Sequence, residues 1–484
     1  MRYCIVDGAE ARRRIRRRYN RRTPFMRETS VPAVYSAPDK GNRSAGAADS
    51  SRAWLARSLA AVWHPCTQMK QHESLPLVPI ARGDGAWLFD FDGRRYLDGV
   101  SSWWVNLFGH ANPRIRSAIV AQLDALEHVM LAGFTHQPVV ELSERLAALA
   151  PGNLGHAFYG SDGAAATEIA LKMAFHYWKN LGRFSKKTYV SLAGSYHGET
   201  LGALAVTDVA IFRDTYAPLL NRNLTVPSPD ARGAVGGESA RDVAVRAANA
   251  LEAHLAQHHE TIAAFIVEPL VQGAAGMAMH DPHFLTLARE LCTRYDVLLI
   301  ADEIMTGFGR TGTMFACDAA GIAPDLMCLS KGITGGYLPL SCVLSTDAIY
   351  AAFYADAPER GFLHSHSYTG NPLACAAALA VLDIFRHDDV LASNEMKAER
   401  WTQIASPLAA HPKVRAFRHR GMIWAFEVDT DRNDFARWCF AEGIARELLL
   451  RPIGHTVYFM PPYILSDDEF ALLCERTREI VDQA

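Results

Sequence analysis

The chain has 484 residues, 49% hydrophobic and 21% charged, with a formal net charge of −3. That allows a large core, or two to four domains at roughly 100–200 residues each, and the overall charge points to neither nucleic acid nor an anionic membrane as a partner. No apolar run reaches the ~18 residues of a membrane-spanning helix, and the nine cysteines form no CxxC pair, so we expect reduced thiols in a cytoplasmic protein without a bound metal.

Residues 1–60 carry 14 Lys/Arg against 5 Asp/Glu, with eight arginines between Arg12 and Arg22. Like charges at that density repel, and the Ser, Ala, Gly and Pro that follow bury little. Residues 1–50 are therefore expected to be a disordered extension; a nucleic-acid arm or an organelle transit peptide is the functional alternative. From 51 to 105 the texture is that of a packed segment. Strands are expected at 78–80, 86–91 and 94–97, joined by tight turns at Arg82-Gly83-Asp84-Gly85 and Asp92-Gly93. After Pro113 the spacing of Ile115, Ile119, Leu123 and Leu126 predicts a helix.

Through residues 106–375, helical stretches alternate with short apolar runs at 189–192, 263–267, 297–301 and 326–329. Runs that are apolar throughout suit strands covered on both faces, so this region reads as an α/β domain with a mainly parallel sheet. Residues 227–238 read as a long polar loop. After Pro372 the chain turns helical, then mixes helices with strand-like pieces at 422–428 and 457–460. Residues 376–484 thus read as a second, smaller lobe.

The most informative stretch follows the helix expected after Asp281-Pro282. The run VLLIA ends on Asp302-Glu303, and in open α/β sheets ligands gather beyond the carboxyl ends of strands. Twenty-nine residues on, the run 326–329 delivers Ser330-Lys331-Gly332. Desolvation lowers a lysine's pKa and favours Schiff-base chemistry. A strand-end aspartate beside a buried lysine is what pyridoxal 5′-phosphate needs: the amine takes the aldehyde, and the carboxylate keeps the ring nitrogen protonated.

LLIADEIMTGFGRTG followed by APDLMCLSKGITGG resembles the signature of class III pyridoxal-phosphate aminotransferases, and the similarity runs from about residue 60 to the C-terminus. The resemblance implies fold type I: a large α/β domain with a mainly parallel sheet, and a small α+β domain to which residues 51–105 and 376–484 both contribute. It implies a PLP-dependent aminotransferase, with Lys331 as the cofactor lysine and Asp302 as partner of the ring nitrogen. Gly160-Ser161-Asp162-Gly163-Ala164 opens a helix, whose N-terminus favours an anion, so Asp162 and Gly163 fall at the phosphate site. Asp162 replaces the usual small residue, and its carboxylate is expected to turn away as the helix cap. Tyr196, in Tyr196-His197-Gly198, takes the ring-stacking position, and His197 is expected to be a hydrogen-bonded structural residue. In LHSHSYTGNP, Ser365, His366 and Ser367 match substrate and phosphate positions that, in dimers of this family, reach the neighbouring subunit.

Trp63-His64-Pro65, Ser101-Ser102-Trp103-Trp104, Arg451-Pro452 and Met460-Pro461-Pro462-Tyr463 together resemble the branch of that family that aminates 8-amino-7-oxononanoate to 7,8-diaminononanoate in biotin synthesis. An ω-amino-acid:pyruvate aminotransferase is the alternative. The branch implies Trp103 as an apolar wall and Arg451 as the carboxylate site, with Arg310 a second candidate. Cys66 stands where relatives using S-adenosylmethionine carry an adenine-stacking Tyr. Trp63 or Tyr368 is a substitute stacker, and lysine is an alternative donor. The expected partners are small-molecule substrates and a second copy of the chain.

Overall fold

The computed structural model describes residues 50–75 and 77–484, so the arginine-rich extension lies outside the described residues. Its centre is a seven-stranded sheet built from β1 (His156–Gly160), β2 (Thr188–Leu192), β3 (Leu224–Val226), β4 (Ile262–Val267), β5 (Leu298–Asp302), β6 (Leu326–Leu329) and β7 (Ser341–Ser345), in the order β1-β7-β6-β5-β4-β2-β3. Pairings β6-β5, β5-β4, β4-β2 and β2-β3 are parallel, while β7 runs antiparallel to both β6 and β1. Six strands therefore share one direction. Every residue of β4, β5 and β6 is buried, which is why these strands are continuous apolar runs, broken only by Asp302 at the end of β5, and not alternating.

Helix α1 (Gly163–Asn180) covers one face, burying Ile169, Met173 and Trp178 among others; full burial of such a side chain stabilises by roughly 1.5–3 kcal/mol. Across the other face lie α2 (Ala240–His258) and α3 (His283–Arg294), which bury Leu251, Leu255, Phe284 and Leu291. At the start of α3 the Asp281 carboxylate accepts the His283 N–H at 2.8 Å.

A four-stranded sheet joins the two ends of the described chain. Strands Ile80–Asp84, Trp87–Asp90 and Arg95–Asp98 form an antiparallel meander, and Leu448–Leu449 adds in parallel beside Leu97 and Asp98. The expected turn at 82–85 is displaced. Arg82 and Asp84 pair with Phe89 and Trp87, the Arg82 guanidinium lies over the Phe89 ring at 3.6 Å, and the chain reverses at Gly85, whose φ is +57°. The helix after Pro113 ends at Ala125 and buries Ile115 fully, whereas Leu123 is exposed. Strands Val414–Arg420, Ile423–Val428 and Thr456–Phe459 make a further antiparallel sheet. Among the described residues no helix is long and apolar enough to cross a membrane.

Candidate active site

Five of the six co-directional strands deliver their C-terminal ends to one cavity of about 390 Å³. β1 leads into Asp162 and Gly163, β2 into Tyr196–Gly198, β4 into Glu268, β5 ends on Asp302 and β6 leads to Lys331; all of these residues line it. Cys66, Trp103 and Trp104 close it from the N-terminal segment. A second cavity of about 710 Å³ shares Cys66, Trp103, Trp104, Tyr196 and Lys331, and extends to Arg451.

Among the described residues, Lys331 is the only lysine lining either cavity. Its burial lowers its pKa, and the negative charges of Asp302 and Glu268 only partly oppose that. Nζ sits over the Trp104 ring, 4.7 Å from its centre. Asp302 is buried; its Oδ1 accepts the Ile304 N–H at 3.1 Å and its Oδ2 meets His197 Nδ1 at 2.6 Å. His197 is itself fully enclosed, and its backbone is fixed by Thr207 and Thr167. Glu268 accepts the Tyr196 N–H and the Gly273 N–H, both at 2.9 Å. Burial first, and then the nearby Asp302 charge, push its carboxyl up to about 7, against an opposing pull from His197.

The tryptophan wall stands on unusual backbone. Ser101, Ser102, Trp103 and Trp104 have φ of +51°, +47°, +73° and +72°, a single left-handed helical turn closed by Val105 N–H on Ser101 C=O at 3.0 Å. Left-handed geometry costs roughly 1–2 kcal/mol per L-residue, so about 4–8 kcal/mol for the four. The buried Asp98 carboxylate accepts the Ser102 N–H at 2.8 Å and the Ser102 hydroxyl at 2.7 Å. Trp104 Nε1 donates to the Tyr458 hydroxyl at 3.0 Å, and the Arg451 guanidinium lies 4.1 Å from the centre of the Trp103 ring.

Sequence comparison with known proteins now adds to this geometry. The aminotransferase class-III family pattern matches residues 68–481. The chain belongs to the class III aminotransferases. It is 44% identical to the adenosylmethionine-8-amino-7-oxononanoate aminotransferase of Helicobacter pylori, over 88% of this chain and 97% of that protein. The crystal structure of the like-named protein of Methanocaldococcus jannaschii is 33% identical, with a TM-score of 0.84 over 90% of this chain and 99% of that one. The omega transaminase of Pseudomonas jessenii, crystallised in complex with PMP, is 29% identical, with a TM-score of 0.84 over 89% of this chain and 98% of that one.

Class III aminotransferases depend on pyridoxal phosphate, and the residues of the first cavity fit that group. Gly163 and Ala164, in the first turn of α1, line the cavity where a helix leaves N–H groups without an acceptor of its own. The Asp162 carboxylate is turned to the Ala165 N–H at 2.9 Å as the helix cap, so no charge is aimed at an incoming phosphate. A Cβ added at Gly163 would stand 3.0 Å from Ile304, and one at Gly198 (φ +120°) 2.6 Å from Ala164; glycine keeps that floor open. Lys331 would supply the amine, Asp302 the buried carboxylate and Tyr196 the aromatic face.

Of the residues singled out from sequence, Cys66, Trp103, Asp162, Gly163, Tyr196, Asp302 and Lys331 meet in the first cavity, and Arg451 joins them through the second. Ser365 and Ser367 are exposed and line neither. His366 is half-buried, with Nδ1 2.9 Å from the Ser161 hydroxyl, next to the start of α1. Arg310 is a correction. It is 1% exposed and donates to Pro461 C=O at 2.6 Å, Ser101 Oγ at 2.8 Å and Asn106 C=O at 3.0 Å, so it supports the tryptophan turn from behind and offers no fork to a substrate carboxylate. Trp63 and Tyr368 line neither cavity. Cys66 is exposed, and the other described cysteines are buried free thiols. Sequence reasoning missed Glu199, whose Oε1 accepts the Tyr196 hydroxyl at 3.0 Å at the mouth of both cavities, and Glu268. Both lie within a few residues of a strand end, which is the one signal that could have found them.

Proposed function

We propose that the protein aminates 8-amino-7-oxononanoate to 7,8-diaminononanoate, the step of biotin synthesis, with S-adenosylmethionine as the donor. The observation that carries the reading is the corner formed by Arg451 and Trp103 beyond Lys331. A long aliphatic acid requires an apolar wall and a cation set away from the reacting amine, and the second cavity offers both. The naming of the relatives agrees with that demand. Cys66 presents no aromatic face to an adenine, and this favours lysine as a second donor. We further infer a cytoplasmic homodimer, with the exposed Ser365 and Ser367 directed to the partner's site.

Bound in the first cavity, pyridoxal phosphate supplies an aldehyde for amines and a ring that withdraws electrons from the carbon bearing them. The chain does the rest. Lys331, whose burial lowers its pKa and eases loss of its proton, is the amine that would take a proton at Nζ from the donor's carbon and return one to the acceptor's. Asp302, oriented by His197 and the Ile304 N–H, keeps a negative charge at the far end of the cavity. Tyr196 and Trp104 exclude water around Nζ, which strengthens every charge interaction there. Glu199 presents a carboxylate that suits the substrate's second amine, and Arg451 suits its carboxylate.

The test is purified holoenzyme with 8-amino-7-oxononanoate and either donor, followed by mass detection of the diamine. No diamine with either donor, alongside turnover of an ω-amino acid with pyruvate, would overturn the assignment.

A further inference from the structure

Two ends of the proposed cleft depend on the same four residues. Trp104 sits against Lys331, where the proton moves, and Trp103 sits against Arg451, where we place the acceptor's carboxylate. Both ring positions follow from the left-handed turn Ser101–Trp104. Such backbone persists only where its surroundings over-determine it. The surroundings here are specific. Asp98, fully buried, takes the Ser102 N–H and hydroxyl on its two oxygens, and its Oδ2 also lies 3.2 Å from His110 Nε2. Behind the turn, Ser101 Oγ donates to Met460 C=O at 2.7 Å and accepts from Arg310. Asp98 and Arg310 line neither cavity.

We propose that Asp98 is a positioning residue for transamination: without touching a reactant, it holds Ser101–Trp104 left-handed and so places the Lys331 wall and the Arg451 corner together. The proposal rests on the reading that Trp103 and Arg451 receive the acceptor's far end. Its consequence is a coupling that neither tryptophan alone would show. Disturbing the turn should impair proton transfer and acceptor binding at once, whereas each ring's own loss should affect mainly one of them.

The experiment uses holoenzyme with cofactor content measured for every variant. In Asp98→Ala, kcat/KM for 8-amino-7-oxononanoate should fall about 10²-fold, the order expected when reacting groups are misplaced by an ångström, with KM raised and kcat lowered together. Adding Ser102→Gly should recover at least about tenfold of that loss, because glycine adopts positive φ without a steric penalty. A role in stability alone would lower the melting temperature and the active fraction, leave KM unchanged, and show no recovery with glycine; that outcome overturns the proposal. If Asp98→Ala does not fold, Ser102→Val decides. Ser102 is partly exposed and lines the second cavity; valine there removes the hydroxyl bond to Asp98, and its β-branched side chain at φ +47° opposes the turn with the Asp98 carboxylate still in place. Wild-type kcat/KM in Ser102→Val sinks the idea. Arg451→Ala separates the two readings. If it leaves KM for the acceptor unchanged, the reading of the cleft fails; if it raises KM while Asp98→Ala and Ser102→Val do not, only the present proposal fails.

Discussion

Replacing Asp302 by Asn removes one charge and almost no volume. In the native site the carboxylate is 4% exposed, with His197 Nδ1 at 2.6 Å and the Ile304 N–H at 3.1 Å. Asn can keep its carbonyl oxygen toward the Ile304 N–H and turn its amide N–H to His197 Nδ1, which accepts in the other tautomer, so the fold should be preserved. What is lost is the negative charge that, in the role proposed for Asp302, would partner the cofactor's ring nitrogen. Two unit charges about 4 Å apart interact by about 4 kcal/mol at an effective dielectric of 20. At about 1.4 kcal/mol per factor of ten, the first half-reaction should slow about 10³-fold while melting temperature stays close to wild type. Stopped-flow absorbance of the bound cofactor, mixed with saturating donor, measures that rate directly. A half-reaction within about threefold of wild type at full cofactor occupancy would refute the role given to the charge, and with it the claim that His197 serves to orient it.

Lys331→Ala should fold, because among the described residues Nζ has no hydrogen-bond partner and rests over the Trp104 ring, yet turnover should drop by more than about 10³-fold, within the range of general acid–base contributions; multiple-turnover assays at full cofactor loading check this. Cys66→Tyr should lower KM for S-adenosylmethionine by one to two orders of magnitude, since base–aromatic stacking is worth about 1–3 kcal/mol, while KM for lysine stays put; unchanged kinetics with S-adenosylmethionine would show that position 66 does not meet the adenine. Burial pushes the Glu303 carboxyl up from 4.5 to about 7, against hydrogen bonds from Thr306 and Cys317. The folded state thus holds a proton that the unfolded chain has released, so this group's contribution is intact below pH about 4.5 and is lost as pH rises through about 7, by about 3 kcal/mol. Melting curves of Glu303→Gln should show a gain over wild type at pH 8 that vanishes near pH 4.5, and equal gains at both would rule out the carboxyl as the cause.

The strands that carry the site were legible because burial on both faces leaves a run with no polar residue. Residues 298–301 and 326–329 are such runs, and Asp302 and Lys331 are conspicuous as the charges that follow them. β1 and β7 were not legible. They begin or end on His156, Ser341 and Ser345, and short strands with polar ends resemble loops. Arg310 was misjudged for a general reason: the same guanidinium fork serves a ligand carboxylate or backbone carbonyls, and only burial tells them apart. The left-handed turn had no trace in its letters. Serine and tryptophan have no preference for positive φ, and what imposes it is a set of partners at Asp98, Arg310 and Met460. Glu199 was passed over because an exposed acid after a turn is usually a solvated one.

Trp104 and Tyr458 are 354 residues apart in sequence, and the strand that precedes Arg451 is the one that lies beside Leu97 and Asp98. On a ribosome, then, the corner that would grip the substrate cannot exist until residues 448–458 have been made and have left the exit tunnel. The cofactor cavity, whose strands all end by Leu329, can assemble earlier. A nascent chain stalled before Leu448 should therefore be able to make a domain with a lysine and an aspartate in place but no means of choosing what to react with, and bringing such distant segments together is the slow part of folding. The corner proposed to choose the substrate is thus built after the cavity proposed to hold the cofactor.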